Sequence, residues 1–573
     1  MCEYREKTNE NEDTNSTVEE AAGGTAAVET GIGTSRTITL GTDVIAGQPQ
    51  PAKGSEYFEN ALQATKFGKF NYFVILISGL ILSNVLLETL GISFVLPVSQ
   101  CDLHLTIKER GVLSAIGFVG IITTSHLWGF LADTTGRRQI IRPTLLIGFG
   151  FTVLSSFTNN FWALCILRYL NGFCISGGSA TVYAYLGEFH TEKTRSRAIM
   201  GAAFIFGVGA MIMPALAWLV INQEWRLEIP LLAITYKPWR LFMVVCGIPG
   251  FICGLCLFKI PESPKFLLSQ GKDEMALDIL KTMFKWNTRR AKDEFPYSRV
   301  LEDIDSSMRP KMALPATSPC VALFKSMWAQ TQPLFNREYM RTTVLICSIQ
   351  FWIFVTSNGM YMWFPHILNS VGEFIKENPN NRTYICDVVY NKQAVLFEQE
   401  NHQAQEVCNE KLEISTYQHS LTLELMYAVG FAVIGAVIKN VGKVWILFVT
   451  LGACGICGII TIYVNLPMVA IYLYLILLLC GLGINVLSAA TVDLYPTRLR
   501  AMAVCISLMM GRLGSVVGAN IVGLLISHHC ESAFLATGIS LIIAGFLGFF
   551  IPKPVKGGSE SPRRISLISM TGN

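Results

Sequence analysis

Charged side chains are scarce in this 573-residue chain. Asp, Glu, Lys and Arg make up 15% of the residues, hydrophobic residues make up 51%, and the net charge is +4. A soluble globular domain carries about 25% charged residues, so the composition excludes that class. A net charge this small also gives no sign of a nucleic-acid partner.

The chain also lacks the short motifs that carry catalytic chemistry. It has no phosphate-cradling Gly-Lys-Ser loop, no spaced cluster of metal ligands and no nucleophile motif. We therefore expect no enzyme activity, no cofactor and no bound metal. Without a nucleotide site, energy for any transport would have to come from a gradient of an ion or of the substrate.

Long apolar stretches dominate the sequence instead. Crossing the hydrocarbon core of a bilayer takes about 20 apolar residues in a helix. Stretches of about this length lie near 72–96, 111–132, 141–158, 161–186, 197–221, 240–260, 343–366, 419–439, 443–464, 466–490, 500–526 and 532–551. The pattern predicts an all-α membrane protein with twelve transmembrane helices, surrounded by a lipid bilayer.

Lys and Arg are unevenly distributed among the short loops that join these stretches. Most of them fall in the loops that are inside when the N-terminus is inside. Because basic loops stay in the cytoplasm, we predict that both termini are cytoplasmic. Residues 1–70 have few apolar residues and should form a disordered tail, and residues 553–573 should form a second tail. The first residues do not resemble a signal peptide, since no apolar core follows them.

Two long loops interrupt the series of short connections. The first, 261–340, contains "KDEMALDILKTMFKW", in which the apolar residues fall mostly on one helical face. It predicts a cytoplasmic helical linker between an N-terminal six-helix bundle, 71–260, and a C-terminal six-helix bundle, 341–552.

The second long loop, 367–418, is predicted to lie on the outer side. It contains "NRT" at Asn381, which is an acceptor for N-glycosylation in a secretory lumen. It also contains Cys386 and Cys408, which would face an oxidising compartment. The sequence leaves open whether these two cysteines form a disulfide.

The two halves repeat the same helix exits. The fourth helix ends in "GEFHTEKTRSRA" (187–198) and the tenth in "VDLYPTRLRA" (492–501), and each exit gives an acid, a short turn and Arg-x-Arg-Ala. Duplicated halves are typical of transporter folds. We therefore expect Asp493, Arg498 and Arg500 to form a gate in the second half.

The second helix ends in "WGFLADTTGRRQ", which supplies Asp133, Gly136, Arg137 and Arg138. An acid at a helix end can accept hydrogen bonds from the N–H groups that start a neighbouring helix, and an arginine can bind the carbonyls that end one. Glycine permits the tight reversal between the helices. We predict that these four residues form a latch at the inner side; a positive cluster that only sets the topology is the alternative.

These motifs resemble the major facilitator superfamily, whose loop between helices two and three has the form G-x-L-A-D-x-x-G-R-R. "GFLADTTGRR" fills every named position, and the resemblance extends over nearly all of 70–552. "ISFVLP", "PWRLFMVVCGIPG" and "PESPKFLLSQGKDEMA" are similar to the synaptic vesicle glycoprotein 2 family and to related organic-ion transporters. The resemblance implies two six-helix bundles around a central cavity, with Asp133 and Arg137 holding the inner gate.

A few ionisable side chains interrupt the apolar stretches. A charge inside lipid is costly unless it meets a cavity or a partner. Glu88 on the first helix, Arg168 on the fourth and Tyr361 on the seventh are therefore our candidate substrate or proton site. A structural hydrogen bond is the alternative for Glu88, and an interfacial aromatic belt is the alternative for Tyr361. The other ionisable residues in these stretches are His126, Glu424 and Arg512.

Two functional classes remain. The first is a secondary active transporter of a small organic solute, such as an organic ion, with protons as a candidate coupling ion. The second is a membrane binding protein similar to the synaptic vesicle glycoproteins, with weak or no transport. The latch and Glu88 favour the first class. The resemblance implies a second acid one turn before Glu88, where this chain has Val85, and this loss, Lys439 and the enlarged outer loop favour the second class. Either protein would lie in the plasma membrane or in a secretory or synaptic vesicle membrane, and the sequence points to no particular oligomeric state.

Overall fold

The computed structural model describes residues 55–230, 234–301, 328, 331–378, 382–390, 411–495 and 497–552, all within one compact unit, Pro51–Asn573. Several predictions lie outside these residues: glycosylation at Asn381, any bond made by Cys408, and the tails over 1–54 and 553–573.

The N-terminal half contains six spans and a helical linker. Its helices are α1 (Phe58–Ala64), α2 (Lys69–Leu90), α3 (Ile92–Leu103), α4 (Ile107–Thr135), α5 (Arg137–Ser156), α6 (Phe161–Glu188), α7 (Glu192–Ile221), α8 (Pro238–Cys256), α9 (Pro264–Ser269) and α10 (Asp273–Thr288). Its strands are β1 (Ser55–Tyr57), β2 (Leu227–Ile229), β3 (Ile234–Tyr236) and β4 (Arg299–Leu301). Helices α2 and α3 form one span that is interrupted at Gly91.

The C-terminal half contains the other six spans. Its helices are α11 (Arg337–Glu377), α12 (Ile414–Val441), α13 (Lys443–Tyr463), α14 (Pro467–Leu478), α15 (Leu482–Leu494), α16 (Thr497–His528) and α17 (Cys530–Leu547). A 3-10 turn, Leu479–Gly481, joins α14 to α15, so these two helices form one span. Hereafter the ends near Arg137 and Lys443 are called inner, and the ends near Asn222 and Leu412 are called outer.

The predicted twelve-helix arrangement is confirmed. Within the described residues, ten spans are long and apolar enough to cross a membrane. The other two are α5 and α6, which are less apolar because α5 carries Arg142 and α6 carries Arg168 and Asn171. Within the halves, α4 packs on α5 and α6, and α11 packs on α16. Three helix pairs join the halves: α4 with α16, α7 with α12, and α3 with α11.

The inner ends of the N-terminal half are covered by the linker and by the segment before α2. Strand β1 pairs with β4 in parallel, and α1 and α10 bury Leu62, Leu280 and Met283. Asn287 at the end of α10 accepts a hydrogen bond from the Phe70 backbone N–H, 3.0 Å away, and so caps α2. The prediction of a disordered tail over 1–70 is therefore wrong for residues 55–70, because the apolar side chains of these residues pack on the linker.

The outer loop of the C-terminal half is shorter than predicted. Helix α11 continues to Glu377 and α12 already begins at Ile414, so the segment between them is 378–413 rather than 367–418. Likewise, α11 starts at Arg337, within the range assigned to the linker. Hydropathy locates only the part of a helix that lies in lipid, whereas polar residues such as Glu338 and Lys376 extend this helix beyond it.

The structure also corrects the disulfide considered in the outer loop. Cys386 is bonded to Cys530 at the start of α17, with the two Cα atoms 5.5 Å apart, and so it is not free to pair with Cys408. The two cysteines are 144 residues apart in the sequence, and no sequence pattern indicated that they pair. The bond fixes the helical segment 385–390 to the outer end of the last span.

Candidate functional site

A buried ion pair joins the first and fourth spans. The Arg168 Nη1 atom on α6 lies 3.0 Å from the Glu88 Oε2 atom on α2, and the two residues are 5% and 4% exposed. The hydroxyl of Thr152 on α5 donates to the other carboxylate oxygen, Oε1, at 2.7 Å. Asn171 in turn donates to the Thr152 oxygen, also at 2.7 Å. Both charges therefore have the partners that a low-dielectric site requires.

The ion pair borders a small cleft between α2, α3, α4 and α6. Its polar lining consists of Glu88, Thr89, Ser114, Arg168 and Asn171, and its apolar lining includes Ile92, Leu113 and Ile175. On the side away from α6, a Cβ atom at Gly247 of α8 would lie 2.7 Å from the Glu88 Oε1 atom. A larger residue at this position would have to displace the carboxylate.

Tyr361 lies in a different place from the other two residues of the predicted site. Its hydroxyl, on α11, donates to the Glu424 Oε1 atom on α12 at 3.3 Å, and both residues belong to the second half. The structure therefore brings Glu88 and Arg168 together and separates Tyr361 from them. Sequence reasoning had noted Glu424 as an intramembrane acid but had not paired it with Tyr361.

Arg137 is the centre of the inner contacts in the first half. Its guanidinium Nη2 atom lies 3.0 Å from Asp133 Oδ1 and 3.1 Å from Glu188 Oε1. Its carbon Cζ lies 5.2 Å from the centre of the Phe266 ring on α9. The Asp133 side chain is 71% exposed, whereas that of Glu188 is 15% exposed. Because exposed pairs contribute little, Glu188 is the stronger of the two partners.

The acid that binds the start of the neighbouring helix is Glu262, not Asp133. Glu262 follows α8 and accepts hydrogen bonds from the backbone N–H groups of Arg138 at 3.0 Å and Gln139 at 3.3 Å. It thereby caps α5, as an acid at a helix N-terminus should. Arg138 does fulfil its predicted contact, because its Nε atom donates to the carbonyl oxygen of Leu257 at the end of α8, 2.7 Å away.

The second half repeats this arrangement with different residues. Lys443 takes the place of Arg137, and its Nζ atom lies 2.5 Å from Asp493 Oδ2 and 2.8 Å from the carbonyl oxygen of Ala489. The Nε atom of Arg500 donates to the carbonyl oxygen of Tyr495 at 2.9 Å. The side chain of Arg498 lies outside the described residues.

The outer ends of the two halves are joined by a group of contacts that we call the outer seal, consisting of Phe94, Asn222, Leu412 and Tyr417. The rings of Phe94 on α3 and Tyr417 on α12 stack, with centroids 6.1 Å apart. The Tyr417 hydroxyl donates to the Asn222 side-chain oxygen at 2.9 Å, and the Asn222 amide donates to the Leu412 carbonyl oxygen at 3.2 Å. These contacts connect the two halves on the outer side.

One further polar contact joins the halves nearer to the middle of the spans. The Arg512 Nη1 atom on α16 donates to the hydroxyl oxygen of Ser125 on α4 at 3.0 Å. Ser125 also lies 3.2 Å from the hydroxyl oxygen of Ser176 on α6. Two further contacts between the halves are the ion pair of Lys411 with Glu224 and the Arg110 guanidinium, whose carbon lies 5.2 Å from the centre of the Trp363 ring.

The sequence profile of the Major Facilitator Superfamily matches residues 72–373 and 414–569. Among similar proteins, synaptic vesicle glycoprotein 2A of Bos taurus is 26% identical over 325 residues, which cover 55% of this chain and 44% of that protein. Synaptic vesicle glycoprotein 2B of Homo sapiens is 25% identical over 378 residues, which cover 64% of this chain and 55% of that protein. The chain thus spans about half the length of these relatives.

Solved transporter structures share the fold. The xylose transporter XylE from E. coli, in a partially occluded inward-open conformation, has a TM-score of 0.58 at 13% identity, covering 85% of this chain and 100% of that chain. A bacterial homologue of the human lysosomal transporter Spinster, inward-facing and occupied, has a TM-score of 0.56 at 13% identity, covering 84% and 96%. These likenesses show the arrangement of the helices alone.

Proposed function

This chain belongs to the Major Facilitator Superfamily, and we propose that it is a secondary active transporter of a small organic solute that works by alternating access. The observation that carries the proposal is the buried ion pair of Glu88 and Arg168. Its charged atoms are 3.0 Å apart, and it borders a cleft within the first half. Buried ionisable groups in spanning helices mark substrate and ion pathways. In this proposal the solute contacts Glu88 and Arg168 in the cleft.

The contacts between the halves support an inward-facing state. The outer seal closes the outer side, and the inner networks around Arg137 and Lys443 lie within one half each. Rocking of one half against the other would open the outer seal and bring the inner ends together. The Asp133, Gly136, Arg137 and Arg138 segment would then form the inner gate, with Asp493, Arg498 and Arg500 as its counterpart.

We further propose that both termini are cytoplasmic and that the protein lies in the plasma membrane or in a secretory or synaptic vesicle membrane. The basic inner loops support this orientation. The likeness to synaptic vesicle glycoproteins supports a vesicle location. It also supports the competing function, which is binding without transport.

Uptake by the purified full-length chain in liposomes tests the proposal. A panel of organic cations, organic anions and sugars is offered with and without a pH gradient, and uptake and exchange are measured. We expect the wild type to move at least one class of solute, and Glu88→Gln to lose most of this activity because it leaves the Arg168 charge unpaired. The matched control is Glu274→Gln, the same change at an exposed position of the linker. Binding of a solute without any uptake or exchange would favour the competing function.

A further inference from the structure

Glu424 differs from the other buried acid of the spans in its partners. It lies on α12, is 9% exposed, and its described polar contact is the hydrogen bond from the Tyr361 hydroxyl, 3.3 Å away. Glu88, in contrast, has the Arg168 guanidinium at 3.0 Å. Within the described residues, Glu424 forms no ion pair. An ionised Glu424 would therefore carry a charge that nothing nearby balances.

The helices that pack against α12 offer no basic group at this depth. The Lys and Arg residues of α7, α11 and α13 lie at the helix ends, and α14 and α15 have none. The titratable groups nearest to this region are phenols and thiols: Tyr361 on α11, Tyr427 on α12, Cys454 on α13 and Cys480 in the 3-10 turn. Two histidines lie more than one turn further out, His366 on α11 against Trp363 and His419 on α12 against Tyr472. None of them supplies a positive charge to Glu424.

A carboxylate in an apolar interior without a counter-charge binds a proton, because only the neutral acid avoids the cost of burying the charge. We propose that Glu424 is a proton-binding site of this protein, neutral in the inward-facing state and hydrogen bonded there to Tyr361. The proposal deepens the proposed transport function and rests on it for the role of the proton. The chemistry is reversible: an O–H bond forms on the carboxylate, and water receives the proton on release.

The position of Glu424 along α12 connects it to the outer side. Tyr417 of the outer seal lies seven residues earlier on the same helix, which is two turns, or about 10 Å. The seal therefore covers Glu424 on the outer side in this state. When the halves rock and the seal opens, outer water would reach the carboxyl group and exchange its proton.

Glu424 also lies at a joint between three spans. The Tyr427 hydroxyl, one turn along α12, donates to the carbonyl oxygen of Leu478, where α14 gives way to the 3-10 turn. The Tyr474 hydroxyl on α14 donates to the carbonyl oxygen of Met360 on α11, at 2.8 Å. With Tyr361, these bonds hold α11, α12 and α14 together. A charge created on Glu424 would disturb this joint, so proton loss can favour the other orientation of the halves.

Infrared spectroscopy of the purified full-length chain tests the proton directly. A protonated carboxylic acid has its own C=O stretching band, which disappears on ionisation. We expect Glu424→Gln to remove such a band from the neutral-pH spectrum, whereas Glu88→Gln, the matched control, should leave it in place. Tyr361→Phe should shift the frequency of the band without removing it, because the acid stays and its hydrogen-bond donor is lost. This variant keeps the test valid if Glu424→Gln fails to fold.

Solute exchange in liposomes at a series of pH values provides the second measurement. We expect Glu424→Gln to lose the pH dependence shown by the wild type, and Glu424→Asp to retain one. A carboxylic-acid band that is unchanged in Glu424→Gln would overturn the proton site and leave the transport function standing. A band that depends on Glu424 in a protein that moves no solute would support the proton site and overturn the transport function.

Discussion

The difference between Glu88 and Glu424 lies in a single partner. Both are carboxylates inside apolar stretches, and the sequence identified both for that reason. The sequence grouped Arg168 with Glu88, and the structure pairs these two residues, which are 80 positions apart. What the sequence did not indicate is that Glu424 would meet Tyr361 and no cation among the described residues. Partners at such separations depend on how the helices pack, and a single sequence shows only which residues need a partner. The grouping of Tyr361 with Glu88 and Arg168 failed for the same reason.

His190 is a second residue whose behaviour follows from its surroundings. It lies in the inner loop between α6 and α7, is 1% exposed, and its Nδ1 atom lies 2.7 Å from the carbonyl oxygen of Leu186. Its other ring nitrogen, Nε2, is buried without a partner among the described residues. Burial lowers the pKa of His190 below its ordinary 6.5, the bond to Leu186 opposes this shift, and the charge of Arg195 adds to it.

This lowered pKa predicts a loss of stability in acid. The folded protein binds the His190 proton only at a lower pH than the unfolded chain does. Between the two pKa values the unfolded chain therefore holds more protons, and acid favours unfolding. We expect the melting temperature in detergent to fall as the pH drops below about 6.5, and His190→Gln to reduce this slope. The exposed His529→Gln is the control, and equal slopes for the two variants would contradict the prediction.

At the scale of elements, the loops after α4 and α12 have the same backbone in different surroundings. Gly136 and Gly442 both have positive φ, 118° and 86°, and each lies between two spans. The motif G-x-L-A-D-x-x-G-R-R identified the first loop, whereas the second loop keeps only the glycine and the basic residue after it, Lys443. The sequence did not show that Glu262 would cap α5, because that acid comes from the far end of the half, after α8.

Replacing each of these two glycines with alanine distinguishes two contributions to stability, the strain of the backbone and the loss of the helix cap. A Cβ atom at Gly136 would lie 2.6 Å from the Glu262 Oε2 atom, whereas one at Gly442 would meet nothing within 4 Å. We expect Gly442→Ala to cost about 1–3 kcal/mol through strain alone, and Gly136→Ala to cost about 1 kcal/mol more through the displaced cap. Thermal unfolding in detergent measures both. Equal losses would show that Glu262 does not contribute to the stability of this loop.

For the molecule as a whole, hydropathy and the repeated helix exits predicted twelve spans in two halves. The structure agrees because each span must satisfy its own backbone hydrogen bonds in lipid, which makes length and apolarity sufficient signals. Hydropathy does not indicate the contacts between the halves, because the inward-facing and outward-facing states contain the same helices. Phe94, Asn222 and Tyr417 therefore looked like ordinary residues at helix ends.

Weakening the outer seal should move the protein towards an outward-open state. A stacked ring pair contributes about 0.5–1.5 kcal/mol, so Phe94→Ala should shift the equilibrium between the two states by about two- to tenfold. Tyr417→Phe should shift it less, because it loses the bond to Asn222 but keeps the stacking.

A cysteine in the cleft reports the shift. Ser114→Cys is labelled with a membrane-impermeant thiol reagent from each side, in a chain whose exposed Cys505 and outer-loop Cys408 have both been changed to Ser, and the same chain without Ser114→Cys gives the background labelling. We expect labelling from the outer side to increase when Phe94→Ala is added. Phe251→Ala is the matched control, since its ring stacks on Phe149 with centroids 4.7 Å apart, wholly within the first half. If the two alanine variants label alike from the outer side, the Phe94–Tyr417 contact does not hold the outer path closed, and the closure must come from the helices themselves.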